Sequence, residues 1–295
     1  MKKQKIILVT GGAGFIGSHL IEKLVKDKNN RVISLDNYFT GIRENHISGA
    51  EYREGHTKDI EKHIPETPDI IYHFGEYSRV AASLNEPELV WDLNIRGTQG
   101  VLEFWRKKKC KLIYAGSSTK FTKSRSGVAG RDISPYTWAK AVNSELVRNY
   151  ARWYGLDYAI TYFFSVYGPG ERAGQFIGSY GTVIETFKQL YLNNKPCEVR
   201  KPGTQMRAFT HVDDTINGIL LVAERGMGDE YSICSEEAYS LFDVAHMFGC
   251  KIKMLPATKT SRSDNVFDTD KIKKLGWKQT RTLKEYIKSI KINKK

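Results

Sequence analysis

Three regularly spaced glycines near the start of the chain, in the segment Gly11-Gly-Ala-Gly-Phe-Ile-Gly17, restrict the possible folds most. A short apolar run precedes them and a helical apolar pattern follows, so the sequence predicts a strand, a tight turn and a helix. In such a turn Gly11 permits the sharp bend, Gly14 lets a phosphate approach backbone amides, and Gly17 lets the helix pack on the strand. This segment therefore predicts a dinucleotide-binding unit.

A second predicted strand, over residues 31–35, ends at Asp36, about 20 residues beyond the glycines. A carboxylate at this position accepts hydrogen bonds from the adenosine ribose hydroxyls and repels a 2′-phosphate, so the sequence predicts NAD as the cofactor. Arg43 follows closely and leaves use of the phosphorylated cofactor open. The predicted wall of the same pocket consists of Phe15, Ile16, Asn37, Tyr38, Thr40 and Gly41.

The pattern continues as alternating strands and helices, which is typical of a Rossmann-type, doubly wound parallel sheet in an α/β fold. Further strands are predicted at residues 69–74, 111–115 and 157–163, with helices at residues 88–106 and 135–154.

The predicted pattern of secondary structure changes after Gly168-Pro-Gly170. Beyond this point the sequence predicts short strands, helices near residues 183–192 and 213–224, and a lysine-rich final helix. We therefore expect a cofactor domain over residues 1–165 and a smaller α/β substrate domain over residues 166–295. Segments of the second domain are allowed to return to the first.

Composition excludes several classes of protein. The net charge is +13, but the basic segments lack the interleaved aromatic residues that single-strand binding needs, so we expect an anionic small molecule rather than nucleic acid. No apolar run reaches the roughly 18 residues of a membrane span, and the first apolar run is too short for a signal peptide, so we expect a cytoplasmic protein. The four cysteines lie far apart, which argues against disulfides and a metal site.

Tyr136 and Lys140 lie four residues apart in a predicted helix and therefore share one face. The lysine ammonium stabilises a phenolate at this spacing, which makes Tyr136 a plausible general base. Ser117 follows the predicted strand over residues 111–115, at an edge where it is able to hydrogen-bond a substrate hydroxyl beside the tyrosine. These three residues form the predicted catalytic group.

Together these motifs resemble the extended short-chain dehydrogenase/reductase family, in particular its NAD-dependent nucleotide-sugar epimerases and dehydratases. The resemblance covers nearly the whole chain and includes further segments: Leu35-Asp-Asn37, His73-Phe74, Val166-Tyr-Gly-Pro169, Arg207-Ala-Phe-Thr-His-Val-Asp-Asp214 and Leu275-Gly-Trp277. It implies that Phe74, Gly75 and Asn94 contact the cofactor. It also implies a homodimer formed by the helix that carries Tyr136 and the helix over residues 88–106.

The residues after Ser117 narrow the implied reaction. Family dehydratases have an Asp-Glu pair here and decarboxylases a glutamate, whereas this chain has Ser118 and Thr119, which do not ionise. The turn resembles that of UDP-galactose 4-epimerases. The resemblance therefore implies transient oxidation at C4 of a nucleotide-diphosphate sugar, with a UDP sugar as the expected substrate.

On the substrate side, Arg207 and Arg262 match family arginines that hold the diphosphate. Ser78, Ser118 and Ser165 are the other predicted substrate contacts, besides Ser117 and Tyr136. The chain departs from the family pattern at two positions: His56 replaces an aspartate expected near adenine, and Ser165 replaces an asparagine expected near the diphosphate.

The sequence leaves other hypotheses about the function open. Related enzyme reactions are 2-epimerisation, net 4-keto reduction, 4,6-dehydration and decarboxylation. A non-enzyme reading is an NAD-binding sensor that kept the fold without the chemistry, but the intact catalytic group argues against it.

Overall fold

The computed structural model describes residues 4–122, 128–172, 181–257 and 268–294. The strands within these ranges are β1 (Lys5–Thr10), β2 (Asn30–Asp36), β3 (Ala50–Glu54), β4 (Ile70–His73), β5 (Lys111–Ser117), β6 (Tyr158–Phe163), β7 (Cys197–Arg200), β8 (Arg207–Ala208), β9 (Gly228–Ile233), β10 (Ala238–Tyr239) and β11 (Ile252–Leu255). The helices are α1 (Phe15–Leu24), α2 (Ile60–His63), α3 (Pro87–Val90), α4 (Gly97–Lys108), α5 (Pro135–Tyr154), α6 (Val183–Leu192), α7 (Val212–Arg225), α8 (Leu241–Phe248), α9 (Asp270–Lys274) and α10 (Leu283–Asn293). A π-helical segment, Trp91–Arg96, joins α3 to α4.

Seven strands form the main sheet in the order β3-β2-β1-β4-β5-β6-β9, and every neighbouring pair is parallel. The predicted doubly wound parallel sheet is therefore confirmed. The strand order reverses between β1 and β4, so the chain leaves β1 in one direction and β4 in the other. In such sheets ligands bind in the crevice at this reversal, outside the carboxyl ends of the strands.

Side chains of successive strand residues alternate between the two faces of the sheet, and both faces are covered by helices. Ile7 and Val9 of β1 pack with α1 and α7, while Leu8, between them, packs with α4 and α5. Because both faces are buried, the strands need continuous apolar runs rather than an apolar–polar alternation. The run of residues 6–9 is of this kind.

Helix α5 carries the predicted base, and its ends are well defined. Ser134 caps the helix in a reciprocal pair with Thr137, Pro135 occupies its first turn, and Gly155 ends it with φ of +63°. The helix packs against β5, so its first two turns lie beside the end of that strand.

The C-terminal part of the chain forms a second layer with its own apolar core, which includes Tyr167, Phe187 and Phe248. β7 pairs with β11 in parallel, and β8 pairs with β10 antiparallel. Two elements of this part lie with the main sheet instead: β9 pairs with β6, and α7 packs against the face that holds Ile7.

Across the described ranges, no helix combines the length and apolar character that crossing a bilayer requires. Cys110, Cys197 and Cys234 are buried, Cys250 is half-buried, and all four thiols are free. The same ranges contain no group of three or more His, Cys, Asp or Glu side chains arranged to hold a metal ion.

Candidate active site

A cavity of ≈ 610 Å³ opens at the carboxyl edge of the main sheet. The ends of β1, β2, β4, β5 and β6 bound it on one side, and α6, β7 and β8 of the C-terminal layer bound it on the other. Cavities of about 300–1,000 Å³ are typical of small-molecule sites. Its position at the reversal of strand order is the place where this architecture binds ligands.

The glycine turn shapes the part of the cavity beside β1. Gly11 has φ of +74°, and a Cβ on it would lie 2.8 Å from the backbone of Gly75. A Cβ on Gly17 would lie 2.2 Å from the Gly11 carbonyl oxygen, so the helix and the turn approach too closely for any side chain. Gly14 precedes α1 and has no capping side chain. With Phe15 and Ile16, these glycines line the cavity and fit the pyrophosphate of a dinucleotide.

Asp36 lies at the end of β2, and its side chain is buried. The backbone N–H of Ala13 donates to Oδ2 over 2.9 Å, and that of Tyr38 donates to Oδ1 over 2.8 Å. Burial raises the pKa of Asp36, and the two backbone donors oppose that rise. A Cβ on Gly41 would lie 2.9 Å from either carboxylate oxygen, so Gly41 keeps this side of the carboxylate open.

The Arg43 side chain, which could in principle bind a 2′-phosphate near Asp36, is paired with another group. Its guanidinium donates to Oε2 of Glu54 over 2.7 Å and lies 4.8 Å from the centre of the Tyr38 ring. A cation that would favour a 2′-phosphate is therefore paired with a carboxylate, which fits NAD rather than its phosphorylated form.

The predicted cofactor residues Asn37, Thr40, Gly41, Phe74 and Gly75 all line the cavity.

Tyr38 and Asn94 are not among the residues that line the cavity, and their contact with the cofactor stays a prediction. The Tyr38 hydroxyl lies 2.9 Å from Nε2 of His46. Asn94 is fully buried, where its amide accepts from the backbone N–H of Tyr77 over 2.6 Å and donates to the Tyr77 carbonyl over 3.0 Å. Asn94 therefore fixes the loop after β4.

Ser117 and Tyr136 meet inside the cavity although 19 residues separate them. The Tyr136 hydroxyl donates to Ser117 Oγ over 3.3 Å, and Ser117 Oγ lies 2.9 Å from Thr119 Oγ1. The backbone N–H of Tyr136 donates to Ser83 Oγ over 3.3 Å, which fixes the start of α5. A phenol and a hydroxyl in this arrangement are able to bind one substrate hydroxyl and pass its proton.

Lys140 lines the same cavity one helical turn further on. Its ammonium contacts the Glu76 carboxylate and the carbonyl oxygen of Ala115. The ammonium also lies 4.4 Å from the centre of the Tyr114 ring. The predicted helix-face pair is thus present, but its lysine is held by an acid that sequence reasoning did not select.

On the substrate side, the predicted residues Ser78, Ser118, Ser165 and Arg207 line the cavity. Arg262 lies outside the described residues. His56, at the position of the expected aspartate, is not among the residues that line the cavity, and its ring lies 3.1 Å from Oδ2 of Asp92. Its neighbours Gly55 and Thr57 do line it.

Sequence reasoning missed several cavity residues, among them Glu76, Arg79, Glu171 and Gln205. Glu171 accepts from the backbone N–H of Gly168 over 3.0 Å, and burial raises the pKa of its carboxyl to about 7. Among the described residues, the side-chain oxygen of Gln205 is buried without a hydrogen-bond donor. A polar atom in this state fits a donor on a bound ligand. For Glu76, the sequence offers one indication of a place in the site: it follows closely after His73, at the carboxyl end of a strand.

Comparison with known proteins agrees with this geometry. The model of the NAD dependent epimerase/dehydratase family matches residues 7–234. A putative UDP-glucose 4-epimerase of Methanocaldococcus jannaschii is 31% identical, with 97% of each chain covered. UDP-glucuronic acid decarboxylase 6 of Arabidopsis thaliana is 28% identical, with 95% of this chain and 85% of the relative covered.

Among solved structures, the UDP-glucose 4-epimerase of Thermotoga maritima with UDP-glucose is similar to this chain. The TM-score is 0.86, the sequences are 27% identical, and 97% of each chain is covered. The similarity extends over both layers of the molecule, including the part beyond residue 165.

Proposed function

Since the chain belongs to the NAD-dependent epimerase/dehydratase family, we propose that it is a 4-epimerase acting on a UDP-linked sugar. NAD is its cofactor, and its substrate class is the nucleotide sugars. The finer assignment to C4 and to UDP rests on the side chains around Tyr136 and on the relatives. Both the relative of M. jannaschii and the T. maritima structure carry the name UDP-glucose 4-epimerase.

One observation carries the proposal. The Tyr136 hydroxyl contacts Ser117, and the residues that follow, Ser118 and Thr119, are neutral, with Thr119 hydrogen-bonded to Ser117. Elimination of water needs an extra acid and base, while epimerisation through a ketone needs a single base. The site therefore supports a reversible oxidation better than a dehydration.

The roles of the chain's residues follow from their positions. When bound, NAD supplies a reversible hydride acceptor for the sugar carbon. Tyr136 takes the proton of the C4 hydroxyl, Ser117 hydrogen-bonds the same oxygen, and Lys140 stabilises the phenolate. The ketone then presents its other face, and as hydride returns to its carbon, Tyr136 returns the proton to its oxygen to give the inverted alcohol. Arg207 binds the diphosphate.

The experiment is incubation of the purified protein with UDP-glucose, UDP-galactose, UDP-N-acetylglucosamine and UDP-glucuronic acid, without added cofactor. Proton NMR of the products reports inversion at C4. We expect at least one substrate to reach equilibrium with its C4 epimer. Release of carbon dioxide, formation of a 4-keto-6-deoxy sugar, or strict dependence on added NADH or NADPH would contradict the proposal.

We also propose a homodimer formed by α5 and the segment from α3 to α4. Trp138 and Trp153 of α5 are 41% and 55% exposed, and Trp138 packs edge-on against Trp91. Large aromatic side chains on one surface are typical of protein interfaces. Light scattering after gel filtration tests this, and a monomeric mass would contradict it.

A further inference from the structure

A buried carboxylate, Glu76, lies at the carboxyl end of β4 and pairs with the lysine of the catalytic group. The side chains of Glu76 and Lys140 are only 3% and 6% exposed. The carboxylate contacts the ammonium directly, and the carbonyl oxygen of Ala115 contacts it too. Side chains this deeply buried are rarely charged unless they are paired.

Hydrogen bonds around Glu76 fix it as an acceptor. Its Oε1 receives the Thr98 hydroxyl over 2.9 Å, the Asn143 amide over 2.8 Å and the Tyr114 hydroxyl over 3.1 Å. Because Thr98 donates to Glu76, it must accept from Nε2 of His73, which lies 3.0 Å away. Three donors besides Lys140 therefore point at Oε1 of Glu76, which is the arrangement that an ionised carboxylate requires.

The other titratable side chains around Glu76 and Lys140 are uncharged near neutral pH. Burial lowers the pKa of His73 to about 4 and raises that of Tyr114 well above its usual value, so both are neutral near pH 7. Burial alone would raise the pKa of Glu76, but the charge of Lys140 and the hydrogen bonds from Lys140 and Thr98 oppose this rise, and the net direction is down.

Groups on the other side of Tyr136 complete the electrostatic environment. Arg79, in the loop after β4, interacts electrostatically with the Tyr136 phenol, and Glu171 and Arg172 lie around Arg79 in turn. A guanidinium stays charged in proteins, so Arg79 stabilises a phenolate independently of Lys140.

We propose that Glu76 is a positioning residue for Lys140, which holds the ammonium against Ala115 and offsets its charge, so that Lys140 supports a Tyr136 phenolate less than a lone ammonium would. The ammonium one helical turn from Tyr136 is therefore one member of an ion pair and not a lone cation. A nearby like charge disfavours an anion, so the carboxylate weakens the support that Lys140 gives to the phenolate. This inference rests on the proposed role of Tyr136 as the base.

The test is a spectroscopic titration that needs neither sugar nor turnover. Tyr136 is one of 16 tyrosines, so its contribution is isolated as the tyrosinate absorbance of the purified protein minus that of its Tyr136→Phe variant. The same difference is measured in a Glu76→Gln background. Circular dichroism defines the pH range in which each protein is folded, and the NAD content of each preparation is measured.

We expect the Tyr136 component to move to lower pH by about one pH unit in Glu76→Gln. Coincident titrations in the two backgrounds, or a move to higher pH, would overturn the proposal. Glu61→Gln is the matched control, since Glu61 also pairs with a lysine, Lys107, but at the exposed surface. It is expected to leave the component in place.

Glu76→Asp keeps the charge but shortens the side chain, so the Tyr136 component is expected to move to lower pH by less than it does in Glu76→Gln. If Glu76→Gln does not fold, this variant carries the test. The shorter side chain loosens the contact with Lys140, so a smaller move in the same direction supports the proposal and an unchanged component overturns it. Absence of epimerase activity would leave these titrations unaffected, so failure of the proposed reaction and failure of this inference are distinguishable.

Discussion

Asp36 and Glu171 are buried carboxyl groups in one cavity, one in the predicted cofactor half (residues 1–165) and one in the predicted substrate half (residues 166–295), and their hydrogen bonds differ. Asp36, in the cofactor half, lies at a strand end and receives two backbone N–H groups, from Ala13 and Tyr38. Glu171, in the substrate half, receives the backbone N–H of Gly168, and burial raises its pKa to about 7. The two carboxyl groups therefore differ in the number of backbone donors that hold them before a ligand binds, two for Asp36 and one for Glu171.

The largest expected effect tests whether both halves serve one base. Tyr136→Phe should reduce turnover by ~10³-fold, because it removes the group that takes the proton. NAD content should stay at the parental level, since the glycine turn and Asp36 are untouched. Tyr158→Phe is the control, because Tyr158 lies at the amino end of β6, at the opposite edge of the sheet. Parental turnover in Tyr136→Phe would refute the assigned base.

The next effect concerns the pH dependence of stability in the substrate half. Glu171 keeps its proton in the folded protein up to about pH 7 but loses it near 4.5 when unfolded, so the parent loses stability as pH rises through this window. Glu171→Gln removes that loss. The variant should match the parent below pH 4.5 and exceed it by about 3 kcal/mol above pH 7.

Urea unfolding at several pH values measures this difference, with the exposed Glu88→Gln on α3 as the control. If the difference in stability between Glu171→Gln and the parent does not change with pH, Glu171 is not the group that makes the stability of the parent fall as pH rises.

A smaller effect is expected in the cofactor half. Asp36→Asn should weaken NAD binding by about 2 kcal/mol, or roughly 30-fold, because a neutral amide replaces a charged acceptor. Discrimination against the 2′-phosphorylated cofactor should fall as well. Calorimetry with NAD and NADP measures both quantities. Asp69→Asn is matched, since Asp69 accepts the backbone N–H of Ile6 at the amino edge of the sheet. An unchanged ratio of the two affinities would contradict the assignment.

The smallest expected effect is a loss of affinity for UDP without a loss of affinity for NAD. Arg207→Ala should weaken UDP binding on the order of tenfold and leave NAD binding unchanged, because only the diphosphate side loses a cation. Arg225→Ala, an exposed arginine beside Glu224, is the control. Equal loss of both ligands would show that the cavity is not divided as described.

Sequence reasoning reached the cofactor half more completely than the substrate half. Gly11, Gly14 and Asp36 are close in sequence, and their spacing reflects a local strand–turn–helix geometry. This geometry can be predicted without knowledge of the tertiary structure. Glu76 and Glu171 belong to no such local motif, and an acid in a loop is ordinarily exposed. Only the packing of other elements over the loop makes such an acid buried.

By itself, the sequence determined the parallel sheet, the cofactor and the tyrosine that serves as the proposed base, because strand and helix periodicity and glycine spacing are local properties of the chain. The tertiary structure alone decided what each group contacts. Lys140 and Glu76 are 64 residues apart, and Ser117 and Tyr136 are 19 apart. These pairs form because the strand order brings the ends of β4 and β5 beside the first turns of α5, which no local pattern specifies.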